Sequence, residues 1–148
     1  MRKLVSVLTG GALAAAGLVG VAPTASAAPA AVAAYGCTGN LVQTTPVTGP
    51  GTGVWANFQL YYTTTGGGTY CGVLVAKKYA GQQHYLELRM DTKPSPGPCN
   101  STSPNDCGMY LQYAGPVKVA NAKDKCLSWA ARIDAPNGDS SVTGANCD

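Results

Sequence analysis

Val54-Trp55-Ala56-Asn57-Phe58-Gln59-Leu60-Tyr61-Tyr62-Thr63 alternates with a period of two. Val54, Ala56, Phe58, Leu60 and Tyr62 share one parity. Trp55, Asn57, Gln59, Tyr61 and Thr63 share the other. Such alternation marks a β-strand with one buried face. Thr64-Thr65-Gly66-Gly67-Gly68 follows and supplies the positive φ that a tight turn needs. Tyr70 to Lys77 is apolar on both parities through Cys71-Gly72-Val73-Leu74-Val75-Ala76, the pattern of a central strand covered on both faces. After Ala80-Gly81-Gln82, the residues His84, Leu86, Leu88 and Met90 alternate with Tyr85, Glu87, Arg89 and Asp91. Residues 54–90 are thus expected to form three consecutive strands of an antiparallel meander.

Upstream, Asn40 to Val47 reads as a first strand that Pro46 either keeps at an edge or ends, and Gly49 to Gly53 as a loop. Downstream, the prolines of Lys93-Pro94-Ser95-Pro96-Gly97-Pro98 remove the donors a ladder needs. That segment divides the domain into halves. The second half alternates again over Met109–Tyr113, is punctuated by Pro116, and resumes at Val117 and Val119. Cys126 to Ile133 forms a strand carrying Trp129, Pro136-Asn137-Gly138-Asp139 a turn, and Ser140 to Cys147 closes the chain. About seven or eight short strands predict an all-β, antiparallel β-sandwich stapled by disulfides, with a small β-barrel as the second choice.

The first 27 residues read as a signal peptide: Arg2 and Lys3, an apolar stretch from Leu4 to Ala22, and Ala25-Ser26-Ala27 before the cut. Residues 28–36 read as a flexible leader, and 37–148 as a single disulfide-bonded β domain. The expected location is secreted, with no membrane contact after cleavage. The chain has 10 basic and 7 acidic residues, and two of the basic ones leave with the signal. The near-neutral remainder gives no reason to expect nucleic acid as a partner.

All 6 cysteines, Cys37, Cys71, Cys99, Cys107, Cys126 and Cys147, lie in the mature part. An even count in an exported chain implies disulfides, here with 15 possible pairings. We expect nearest-neighbour pairing, because the Pro-rich segment between Cys99 and Cys107 reads as hairpin-like. A metal site is not expected: there is no Cys-x-x-Cys and only 1 histidine. No cofactor is implied.

Tyr113-Ala114-Gly115-Pro116-Val117-Lys118-Val119, Cys126-Leu127-Ser128-Trp129-Ala130-Ala131-Arg132-Ile133 and the closing Cys147 resemble the spore-associated protein A family of small exported streptomycete and related actinobacterial proteins. The likeness extends more loosely to the Cys37 region, the Val54–Tyr62 strand and Cys71. It implies an exported four-cysteine β domain found with the spore surface, and no catalytic residues. Ser128 stands where the family tends to have an acidic residue, and Ala130-Ala131 where it tends to have glycines. The Cys99–Cys107 pair is an addition to the family pattern.

No catalytic residue is singled out. His84, the sole histidine, falls on the parity of Leu86 and Leu88 and reads as a core-margin residue. Glu87 and Arg89 share a strand face and read as a surface ion pair, without the second carboxylate that a glycosidase needs. The Asp134–Asp139 turn lacks a calcium-loop signature, and Asn100-Ser101-Thr102 matches a glycosylation acceptor. The expectation is therefore a non-enzymatic exported protein associated with spore-surface or cell-wall components. Possible binding residues are Trp55, Tyr61, Tyr85 and Trp129, since exposed aromatics stack on sugars or dock proteins. The alternative is a secreted protease inhibitor or a carbohydrate- or protein-binding module. An inhibitor would present Lys93 or the Asn100–Asn105 tip of the braced loop to an extracellular protease.

Overall fold

A computed structural model of the chain describes residues 34–51, 53–136 and 138–147. The signal-peptide reading and leader residues 28–33 lie outside these. Eight strands form two four-stranded antiparallel sheets. They are β1 (Asn40–Thr48), β2 (Val54–Thr63), β3 (Thr69–Ala76), β4 (His84–Asp91), β5 (Asn105–Tyr110), β6 (Tyr113–Ala120), β7 (Leu127–Ala135) and β8 (Gly138–Asn146). One sheet runs β1-β2-β3-β6, the other β5-β4-β7-β8. The sheets face each other as a sandwich, β2 over β7 and β3 over β4. A single 3-10 turn, Thr65–Gly67, is the only helical element among the described residues.

The core follows the alternation. Ala56, Phe58 and Leu60 of β2 meet Leu86, Leu88 and Met90 of β4, and Leu127, Trp129, Ala131 and Ile133 of β7. Phe58 stacks on Trp129 with ring centroids 4.3 Å apart, joining the sheets at their centre. Two glycines face this layer because no side chain fits. A Cβ on Gly72 would meet Met90 Sδ at 2.3 Å, and one on Gly144 would meet the Trp129 ring at 2.4 Å. β3 is buried along nearly its whole length, as its two-sided apolar run predicts.

The expected meander over residues 54–90 is corrected. β4 does not pair with β3; it pairs with β5 and β7 in the other sheet. The meander is β1-β2-β3. Residues 77–83 are long enough to cross the roughly 10 Å between sheets, and the N–H groups of Lys77 and Lys78 tie this crossing to the Trp55 carbonyl. The strand break in the second half also moves. β5 begins before Cys107, the turn falls at Leu111–Gln112, and β6 runs from Tyr113 through the cis Gly115–Pro116 bond.

Both sides of the sandwich are fastened. Asp106 of β5 accepts the Gly115 N–H of β6 at 2.5 Å and the Tyr110 hydroxyl. Burial and this carboxylate push the Tyr110 phenol up to about 12. On the other side the Ser140 hydroxyl donates to the Thr48 carbonyl at 2.5 Å. The three disulfides are Cys37–Cys71, Cys99–Cys107 and Cys126–Cys147, the nearest-neighbour set. Residues 34–36, expected as leader, pack on the domain. Ala34 and Cys37 exchange backbone hydrogen bonds, and Tyr35 lies on Tyr113 at 4.9 Å.

Candidate functional site

The reading of Trp55, Tyr61, Tyr85 and Trp129 as an exposed aromatic face is overturned. Trp55 is 0% exposed, Tyr61 7% and Trp129 2%. Trp55 has the polar parity, yet β2 gains one residue against β1 there: Val47 pairs with Ala56 and Thr48 with Val54. That bulge turns Trp55 inward. Its ring is then closed over by Gly49, an edge-on Tyr79 at 5.4 Å and Lys78 Nζ at 5.1 Å. Tyr61 sits under the Cys37–Cys71 bridge. Trp129 alternates inward with Leu127, Ala131 and Ile133, a period-two signal that was available in the sequence. Tyr85 alone remains half-buried on an outer face, its hydroxyl 3.7 Å from Cys99 Sγ.

His84 is buried at the end of β4. Its Nδ1 donates to the Gln82 carbonyl at 2.5 Å, and its Nε2 has no hydrogen-bond partner among the described residues. No hydroxyl or carboxylate among the described residues is bonded to the ring. One group of potential metal ligands occurs among the described residues, Glu87 with Cys99 and Cys107. Those two sulfurs are bonded to each other and offer no thiolate.

The surface with the most chemistry is the outer face of the second sheet. Strand register sets its side chains in rows. Met109, Tyr85, Asp134 and Asp139 form one row. Cys107, Glu87, Arg132 and Ser141 form the next, then Asn105, Arg89, Ala130 and Thr143. The short Ala130, with Ala145 and Ser128 beyond it, leaves a trough between longer neighbours. The charges within it are matched. Arg89 Nε is 2.5 Å from Glu87 Oε1, though off the line of a hydrogen bond. Arg132 donates to both Asp134 oxygens at 2.7 and 3.0 Å and lies 3.6 Å from Asp139. The Asp134 bonds raise the Arg132 guanidinium above its ordinary value. Burial and the nearby Glu87 raise the Tyr85 phenol.

The Pro-rich segment does not project. It folds back over this face as a strap. Arg89 Nη1 donates to the Gly97 carbonyl at 2.9 Å, and the Ser128 hydroxyl to the Lys93 carbonyl at 2.6 Å. The Ser103 hydroxyl donates to Asp91 Oδ2 at 2.6 Å, and the Lys93 N–H to Oδ1 at 3.2 Å. With Pro94 and Pro96 as a wall, the strap encloses a cavity of about 350 Å³ against Arg89, Ser128, Thr143 and Ala145. A second cavity of about 200 Å³ continues it past Ala130 to Glu87, Arg132 and Ser141. The long contacts from 93 to 128 leave no local signal, so sequence reading found the loop and missed where it lies.

The Ser103 hydroxyl holds the Asp91 carboxyl below the usual carboxylate range. A depressed folded pKa stabilises above the unfolded value, and that stability is lost as pH falls below about 4. Ser103→Ala is expected to raise the Asp91 pKa and cost about 1–3 kcal/mol at neutral pH. Acid opening of the strap should move to higher pH. NMR titration of Asp91 with amide exchange over residues 92–104 checks both, and an unchanged Asp91 titration would refute the assignment.

Comparison with protein-family models, curated proteins and solved structures returned no match. Three disulfides fit an extracellular protein. No helix among the described residues is long and apolar enough to cross a membrane.

Proposed function

We propose that this is an exported, non-enzymatic binding module that attaches to the spore or cell surface through the outer face of its second sheet. The observation that carries the reading is the strap. A long polar loop, braced by its own disulfide and by hydrogen bonds from Arg89, Ser103 and Ser128, forms one wall of an open trough. A preformed wall lowers the ordering cost of binding. The isolation of His84 and the mutual pairing of the carboxylates and arginines support a binding role over a catalytic one. The resemblance of residues 113–133 to spore-associated proteins supports the location.

A second reading rests on the same strap. Lys93 is 71% exposed beside Pro94 and Ser95, so the braced segment also suits an extracellular protease. Titration against trypsin and subtilisin separates the two, since equimolar inhibition is expected only of an inhibitor.

The test of attachment is fractionation. The mature chain should be enriched on washed spores or vegetative envelope over medium. Thr143→Arg, at an exposed edge position, should release it, while Leu111→Ser on the opposite corner should not. A wild-type protein found wholly in the medium sinks the proposal.

A further inference from the structure

We infer that the trough beside the strap takes a neutral glycan chain, an inference that rests on the binding role proposed for this face. Two features fix the chemistry of the occupant.

The first is charge. Arg89, Arg132 and Lys93 are the cations of the trough, and each has carboxylate against it: Glu87, Asp134 with Asp139, and Asp91. An anionic ligand would have to displace carboxylates already within hydrogen-bond or ion-pair distance. A cationic ligand would compete with these three side chains for the same oxygens. Neither sign is favoured, so the charge pattern suits an uncharged partner with many donors and acceptors.

The second is the alternation of apolar and polar lining. Ala130, Ala145, Pro94 and Pro96 give flat aliphatic surface, and Ser141 and Thr143 give hydroxyls at the rim. A pyranose has the same composition, a C–H face and a belt of hydroxyls. An extended peptide would instead be expected to pair with the backbone of an edge strand. The trough lies on the sheet face, where strand backbones are already paired to one another. It continues past Cys126 and Cys147 as a third cavity of about 320 Å³. The run suits a chain more than a single small molecule, and the first cavity is of ordinary ligand-site size, which begins near 300 Å³.

Calorimetric titration of the full mature domain with β-1,4-linked hexasaccharides of glucose, xylose and N-acetylglucosamine tests the inference. A polyanionic glycerol-phosphate polymer serves as the charged comparison. At least one hexasaccharide should bind, with little dependence on salt. Thr143→Val removes an exposed hydroxyl and should weaken binding roughly fivefold, the worth of one hydrogen bond. Leu111→Ser should leave it unchanged. Thr143 is exposed on the edge strand β8, so its replacement leaves the core intact. If the domain attaches to spores or envelope but binds no hexasaccharide, the glycan assignment is wrong and the attachment role stands. Salt-sensitive binding of the polyanion alone also overturns it, as does hexasaccharide binding untouched by Thr143→Val. If the domain neither attaches nor binds a hexasaccharide, the binding role fails with it.

Discussion

Phe58→Ala is expected to lower the unfolding free energy by about 3–5 kcal/mol, the largest effect of any single substitution proposed for this chain. Phe58 is fully buried and stacks on Trp129 across the two sheets. It also packs near Gly72 and Met90, where the layer is already tight. Removing the ring leaves a cavity that two hydrogen-bonded sheets cannot collapse to fill. Folded domains hold about 5–15 kcal/mol in total, so a large share is at stake. Guanidinium unfolding followed by tryptophan emission measures it, since Trp129 loses its stacking partner. A loss under about 1 kcal/mol would show that the Phe58–Trp129 contact does not organise the core.

The second large effect is expected from the double variant Cys37→Ser/Cys71→Ser. This bridge spans 34 residues of sequence. In the chain-entropy account, opening it frees the unfolded ensemble by about 3–4 kcal/mol. The native state suffers as well. Cys37, Cys71, Tyr61 and Ala34 form a small buried cluster on the outer face of the first sheet. Two hydroxyls placed there have no ready acceptors, and the Tyr35–Tyr113 contact loses its tether. Burial, followed by the nearby Tyr35, raises the Tyr61 phenol above its ordinary value. Its titration is thus a local reporter: it should fall toward an ordinary phenol as the segment lifts. Opening Cys99–Cys107 should cost less, because its sequence separation is only 8 and it staples the strap to β5 rather than a core strand. Equal losses from the two bridges would contradict this order.

The sandwich was legible where side-chain period and burial agree. Ala56, Phe58, Leu60, Leu86, Leu88 and Met90 alternate cleanly and are buried as expected. The two-sided run from Cys71 to Ala76 is a central strand, and proximity in sequence pairs the cysteines correctly. Trp55 was misread because a bulge shifts parity by one residue, and nothing in an alternating pattern announces it. The sheet assignment of β4 failed for a related reason. A connection of middling length serves a hairpin or a crossing equally well, and the hydrogen bonds that hold this crossing, from Lys77 and Lys78 to the Trp55 carbonyl, leave no mark in the sequence pattern. The trough depends on register between four strands and on Ser128 reaching Lys93 over 35 residues of sequence. Such contacts exist only after folding, so the composition of the loop was visible and its position was not.

The strap also bears on how such a protein can diversify. Cys99 and Cys107 close their own small ring on the outside of a finished sandwich. Asn105, Asp106 and Cys107 of that ring belong to β5, and Asp106 bonds to Gly115 of the other sheet, whereas the tip from Asn100 to Thr102 bonds within the ring. The tip can therefore be exchanged, lengthened or shortened at small cost to the hydrophobic layer. In that sense the domain is a frame carrying a replaceable cassette, and new recognition could be grafted at the 100–102 tip while the frame goes on folding unchanged.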